Sequence, residues 1–170
     1  MISVKKILED KAISVVWSVP PTTSVIDTLH LLAEKNIGAV VVLDNEKLVG
    51  IFSERDYARK GIIQGRKAKS TPISDVMTPK VFTVDPDTSI QDCMQLLGQK
   101  KIRHLPVVQD ERVVGVISIG DIVNSIMHEQ KQHIQYLEQY ITQSWAWVAN
   151  NGFWLMDVGY SKDSLSRTFL

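Results

Sequence analysis

Apolar residues fall along this chain in two matching rhythms separated by a polar stretch. Ile37–Asp44, IGAVVVLD, and Leu48–Ser53, LVGIFS, are near-continuous apolar runs on either side of the polar turn Asn45-Glu46-Lys47. Runs of this length bounded by turn residues predict two strands joined by a hairpin. The arrangement returns as Ile102–Gln109, IRHLPVVQ, a turn at Asp110-Glu111-Arg112, and Val113–Ser118, VVGVIS. Ahead of each pair, Val25, Leu29 and Leu32, or Ile90, Met94 and Leu97, recur at helical spacing. Ser24 or Ser89 stands before each set and predicts a capped helix start. Shorter apolar stretches at Val15–Val19 and Val81–Val84 predict a leading strand, and Ser53 and Ser118 predict the starts of second helices. Beyond these, Ile122–Gln143 predicts a further helix, with Ile126, Gln130, His133, Ile134, Leu137 and Ile141 roughly on one stripe.

The match is a repeat at a constant offset. Val16–Lys60 aligns with Val81–Ser125 without a gap, 65 residues apart, with 16 identities. Pro21 meets Pro86, Asp27 meets Asp92, Lys35 meets Lys100, and Gly50, Ser53 and Asp56 meet Gly115, Ser118 and Asp121. A unit of about 60 residues buries too little surface to be robust alone. Apolar strands covered by helices on one face need burial on the other. The expected fold is therefore α/β (α+β): two pseudo-symmetric β-α-β-β-α units packed sheet to sheet, plus a C-terminal helix and tail. The expected boundaries are 5–63 for the first unit, 64–75 for a basic polar linker, 76–130 for the second unit and 131–170 for the C-terminal part.

Composition narrows the function classes. Nineteen basic residues balance nineteen acidic ones, so no overall field draws the chain to nucleic acid or an anionic membrane. The linker run Arg66-Lys67-x-Lys69 is too short to change that. The single cysteine, Cys93, excludes an intrachain disulfide and a cysteine metal cluster. It stands where the first copy has Thr28 and reads as a packed thiol. His30, His104, His128 and His133 lack metal-ligand spacing. No apolar run is long enough to span a bilayer, no signal peptide opens the sequence, and a cytoplasmic location is expected.

The polar chemistry gathers at the strand-to-helix junctions, Gly50-Ile-Phe-Ser53-Glu-Arg55-Asp56 and Gly115-Val-Ile-Ser118-Ile-Gly-Asp121. Ser-x-x-Asp at a helix start is the pattern of a capping box, a structural role. Its repetition at equivalent places, each three residues after a glycine, also suits ligand binding. Free amides at a helix start attract phosphate, and an aspartate there can accept both hydroxyls of a ribose. Both readings stand, and one set of residues can serve both.

The runs IGAVVVLD…LVGIFSERD and IRHLPVVQ…VVGVISIGD, both Pro-x-Thr-Ser turns, and DVMTPKVFTV between the copies resemble the cystathionine beta-synthase (CBS) domain family in its tandem arrangement, the Bateman module. The resemblance runs from about residue 5 to 143 and is nearest to small stand-alone bacterial pairs. Ile119 and Gly120 depart from Glu54 and Arg55 of the first copy. The last 26 or so residues, rich in tryptophan, have no counterpart.

The resemblance implies regulatory binding of an adenosine ligand: AMP, ADP, ATP, NAD(H) or S-adenosylmethionine. It implies pockets shared between copies. One would use Ser53, Asp56 and Ile51 with Thr78, Lys80, Arg103 and His104, and with Arg55 near the phosphates. The other would use Ser118, Asp121 and Val116 with Ile13, Gly38 and Ala39, and offers no evident cation. A polyphosphate or dinucleotide is expected in the first. Trp17 and Phe82, equivalent first-strand residues, are expected in the core, with adenine contact as the lesser reading. A homodimer that passes its signal to another protein is expected, without nucleic acid or membrane. An enzyme lacks a nucleophile-base pair here, and a structural dimerisation module with vestigial pockets is the alternative.

Overall fold

The computed structural model describes residues 2–11 and 15–150. In order the chain forms α1 (Val4–Asp10), β1 (Ser18–Val19), α2 (Val25–Lys35), β2 (Ala39–Asp44), β3 (Lys47–Ser53) and α3 (Glu54–Asp56). A π-helical segment (Tyr57–Ile62) and a 3-10 turn (Ile73–Asp75) follow. Then come α4 (Ile90–Lys100), β4 (His104–Gln109), β5 (Arg112–Ser118) and α5 (Ile119–Asn150). The described residues divide into two units between Ile126 and Met127, so both copies of the repeat share one unit.

The repeat is reproduced down to its backbone. Both hairpins are two-residue loops, Asp44 pairing with Lys47 and Gln109 with Arg112. Asn45 and Glu46 sit at φ 48° and 66°, and Asp110 and Glu111 at 49° and 64°. Positive φ at both positions is the mirror-type turn whose twist matches the strands. Each hairpin shifts register once, at Val42/Leu43 and at the equivalent Val107/Val108. Ser24 and Ser89 cap their helices by accepting from Asp27 and Asp92 amides, and both helices end in a left-handed residue, Asn36 or Lys101. The two sheets approach each other through β3 and β5.

Three details differ from the pattern expected. The leading strands shrink to Ser18–Val19, which pairs in parallel with β2, and to a single bridge between Val84 and Val107. Pro20 and Pro21 directly follow the first, and Asp85-Pro86 the second, which limits ladder bonding. The second helix of the first copy is mostly π-helical, with buried Gly61 packed against the Tyr57 ring. The C-terminal helix extends past Gln143 to Asn150, and the remaining tail lies outside the described residues.

Each copy completes its core with a segment that precedes the other. Val4 and Ile7 of α1, at the front of the first copy, are buried with Ile90, Leu97, Leu105 and Ile117 of the second. Ile73 and Val76, at the front of the second copy, are buried with Val25, Leu32, Val40 and Phe52 of the first. Backbone bonds fasten both exchanges at equivalent loops. Val4 N–H donates to the Thr88 carbonyl at 2.9 Å, and Ile73 N–H donates to the Thr23 carbonyl at 2.8 Å. The stretch expected to be linker thus ends in a core residue.

Burying an isoleucine in this way makes a sharp prediction. Ile73→Ala will cost about 2–5 kcal/mol in urea unfolding, the range for a truncated core side chain. Lys69→Ala, four residues earlier and exposed, will stay within about 0.5 kcal/mol.

Candidate functional site

The strand-to-helix junctions open onto two clefts in the first unit. At the first, β3 ends in Ser53, whose side chain caps the Asp56 amide while Asp56 Oδ2 accepts from Ser53 N–H (3.0 Å) and Oγ–H (2.6 Å). The capping box is complete, yet Asp56 still presents Oδ1 to the cleft. That oxygen accepts from Thr78 Oγ1–H at 2.9 Å and pairs with Lys60 Nζ at 3.0 Å. Thr78 is held there by a two-way bridge between its backbone and Ile51 on the edge of β3.

The second junction repeats the cap and changes the latch. Asp121 Oδ2 accepts from Ser118 N–H (2.6 Å) and Oγ–H (2.8 Å). A lysine again reaches the carboxylate, but it is Lys11, from the end of α1, at 2.8 Å. Its ammonium also donates to the Val116 carbonyl at 2.8 Å. Lys60 has Ser125 as its repeat equivalent, so the two lysines reach equivalent aspartates from unrelated places in the chain.

The clefts measure 360 Å³ beside Asp56 and 530 Å³ beside Asp121, both within the span of small-molecule sites. The Asp56 cleft gathers Ile51, Ser53, Arg55, Thr78, Lys80 and Arg103, with His104 beside them. Arg59, Lys60 and Lys101 line it too, so its walls are strongly cationic. The Asp121 cleft gathers Val116, Ser118, Gly38, Ala39 and also His104. Ile13 lies outside the described residues. The expectation that this second cleft has no cation fails: Lys11 and Lys35 both line it. Lys11 is 105 positions from Val116 in sequence, and only the exchange of α1 brings it there.

The aromatic pair also departs from a pure core role. Trp17 lines the Asp121 cleft with Lys35 over its ring, 4.7 Å from the centroid. Phe82 lines the Asp56 cleft with the equivalent Lys100 at 4.9 Å, and is 41% exposed. Each cleft therefore has an aromatic face capped by a cation. Lys35 and Lys100 align in the repeat, which was the one sequence signal for this pair.

His104 and Gly38 line both clefts. A side chain on Gly38 would bring its Cβ within 3.2 Å of His104 Nε2, so glycine there makes room for the ring. Burial holds the imidazole below its ordinary range, with Lys11 and Arg103 acting the same way against the pull of Asp121 and Asp56. Burial alone would raise Asp121, but hydrogen bonds from Lys11 and Ser118 and the charge of Lys11 outweigh it and hold the carboxyl low. Cys93 is fully buried, and burial with the nearby Asp92 charge pushes its thiol up to about 11, so the packed-thiol reading fits. Among the described residues no group of three histidines, cysteines or carboxylates is placed to hold a metal.

A family model of the CBS domain matches residues 4–61 and 73–128. The chain belongs to the CBS-domain family. It carries two CBS domains, a module that is generally regulatory rather than catalytic. It is 42% identical over 123 residues to a mitochondrial CBS domain-containing protein of Arabidopsis thaliana, CBSX3, matching 69% of this chain and 60% of that one. The match thus spans about three fifths of that relative's length. Among solved structures the chain is similar to a protein with CBS domains from Burkholderia ambifaria, with 40% identity and a TM-score of 0.74 over 76% of this chain and 96% of that one. It is also similar to the CBS domain pair of protein MJ0100, solved with 5′-methylthioadenosine and S-adenosyl-L-methionine. There the identity is 28% and the TM-score 0.66, over 74% and 99% of the two chains.

The Asp121 environment gives a prediction with a definite sign. A carboxyl held below its unfolded value adds stability above that value and loses it as pH falls through the folded one. Removing the ammonium in Lys11→Met takes away both its hydrogen bond and its charge, and leaves only the Ser118 hydrogen bonds to oppose burial. The Asp121 carboxyl will then titrate higher than in the parent CBS pair, read by carbon-13 NMR, and acid unfolding will begin at higher pH.

Proposed function

We propose that this CBS pair is a regulatory sensor of adenosine ligands that binds them in the two clefts and reports through its packing. The observation that carries the reading is the doubled cleft: each has a capped aspartate with a carboxylate oxygen at the cavity, an aromatic face and cations from the other copy. A ribose diol needs a paired acceptor, and that is what Asp56 or Asp121 supplies once its lysine moves aside. Phosphates need cations in fixed positions, and charge-assisted pairs are the strong kind. The MJ0100 pair, with its two adenosine compounds, supports carrying this ligand class to the present chain.

The two clefts suit different ligands. Arg55, Arg59, Lys60, Lys80, Lys101 and Arg103 face two acids, Glu54 and Asp56, in the first. That surplus fits a polyphosphate such as ATP or ADP, or the pyrophosphate of NAD(H). Lys11 and Lys35 against Asp121 fit a ligand of lower charge, AMP or S-adenosylmethionine, in the second. Binding replaces the Lys60–Asp56 and Lys11–Asp121 pairs with contacts to ligand. Because Lys11 ends α1, and α1 is packed in the second copy's core, the change has a route into the exchanged segment. A ligand shifts that packing only by its difference in affinity for the two arrangements. The signal then passes to a protein partner in the cytoplasm, with the chain acting as a homodimer, without catalysis, nucleic acid or membrane. The alternative is a structural dimerisation module whose clefts take no ligand.

A thermal-shift and calorimetry panel with AMP, ADP, ATP, NAD(H) and S-adenosylmethionine tests the reading, because a ligand of the folded state alone raises stability by mass action. ATP or NAD(H) is expected to raise Tm in the parent chain. That shift should be lost in Asp56→Ala and kept in Asp121→Ala. Loss in Asp121→Ala alone would reverse the assignment of clefts, and no shift with any of the five compounds would leave the structural module standing.

A further inference from the structure

Among the described residues, the second unit contains a helical face without a partner. From Met127 to Gln143 every side chain of α5 is exposed. In proteins most helical stability comes from packing an apolar face rather than from propensity alone. The apolar residues are not scattered. Met127, Ile134 and Ile141 recur every seven residues, and Leu137 falls three after Ile134, with Gln130 in the matching place one turn of the pattern earlier. Their exposures are 62% for Met127, 56% for Ile134, 44% for Leu137 and 55% for Ile141. Off this line lie Ser125, His128, Glu129, Gln132, Gln135, Gln139 and Thr142, with Tyr136 and Tyr140 the large exceptions. A seven-residue repeat is the spacing of a coiled-coil seam rather than of a helix lying on a globular core.

We propose that this seam pairs in parallel with the same seam of a second copy, so that α5 is the dimerisation element of the chain. This deepens the homodimer reading above by naming its surface. Three features select a second copy in parallel. β-Branched isoleucine at the first seam position with leucine at the second favours two parallel strands. Like residues meet like in that register, so Gln130 faces Gln130 and the two amides bond each other instead of being buried against isoleucine. The flanks are complementary: His133 of one copy comes beside Glu138 of the other, on both sides of the seam, and no like charges are opposed.

The test uses the full chain. Sedimentation equilibrium of the parent protein is expected to give a dimer, and Ile134→Glu with Leu137→Glu is expected to halve the mass. Gln139→Glu, away from the seam, is expected to leave the mass unchanged. Since Cys93 is buried, Gln130→Cys adds a single accessible thiol, and mild oxidation should link two copies through it, as only a parallel register allows. A monomeric parent chain would overturn both the seam and the homodimer reading, leaving the face to residues 151–170 or to another protein. A dimer that survives the double substitution, or that resists cross-linking at Gln130→Cys, would overturn the seam alone. Nucleotide binding measured on the same variants reads the clefts independently of either result.

Discussion

The exchange of short segments between the two copies is the constraint on which the rest of the first unit depends. Neither repeat closes its core with its own residues. The first needs Ile73 and Val76, and the second needs Val4 and Ile7. Units of about 60 residues are marginal because so little of their surface becomes interior. Sharing segments lets each copy reach a full core while tying its stability to the other. The hydrogen bonds at Thr23 and Thr88 place the exchanged segments at equivalent loops, so the symmetry of the repeat is kept even though the segments differ in sequence.

The same exchange builds the clefts. The segment that leaves the first copy's core continues directly to Thr78, which bridges Ile51 and delivers a hydroxyl to Asp56. The segment that fills the second copy's core ends at Lys11, which reaches Asp121 and the Val116 carbonyl. Core and site are thus consecutive on one stretch of chain in both halves. Thr78 lies two residues after buried Val76, and Lys11 four after buried Ile7. His104, standing between the clefts against Gly38, gives the two sites a common wall.

At Ser53-x-x-Asp56 and Ser118-x-x-Asp121 the carboxylate closes a cap and still accepts other partners, because it has more lone pairs than the cap consumes. In the first junction one oxygen closes the capping box and the other faces Thr78 and Lys60. In the second, the oxygen that closes the cap also takes Lys11, and the burial that would otherwise raise this acid is outweighed. The two clefts therefore start from the same motif and end with different charge.

Much of this was legible in the residues alone. The 65-residue offset, the paired caps at Ser24 and Ser89, the hairpins at Asn45-Glu46 and Asp110-Glu111 and the helix starts at Ser53 and Ser118 rest on local rules: periodicity, capping and turn chemistry act over a few neighbours and leave their pattern in sequence. The cationic character of the Asp56 cleft came instead from the resemblance to CBS domains, which pointed to Lys80 and Arg103, and both line that cleft. What local rules could not show was set by long-range packing. Lys11 meets Asp121 from 110 positions away, Ile73 turns a linker end into core, and Phe82 lies at a cleft rather than in the interior. Local sequence decided which elements form, but only the tertiary exchange decided which elements they complete, because burial depends on what arrives from elsewhere in the chain.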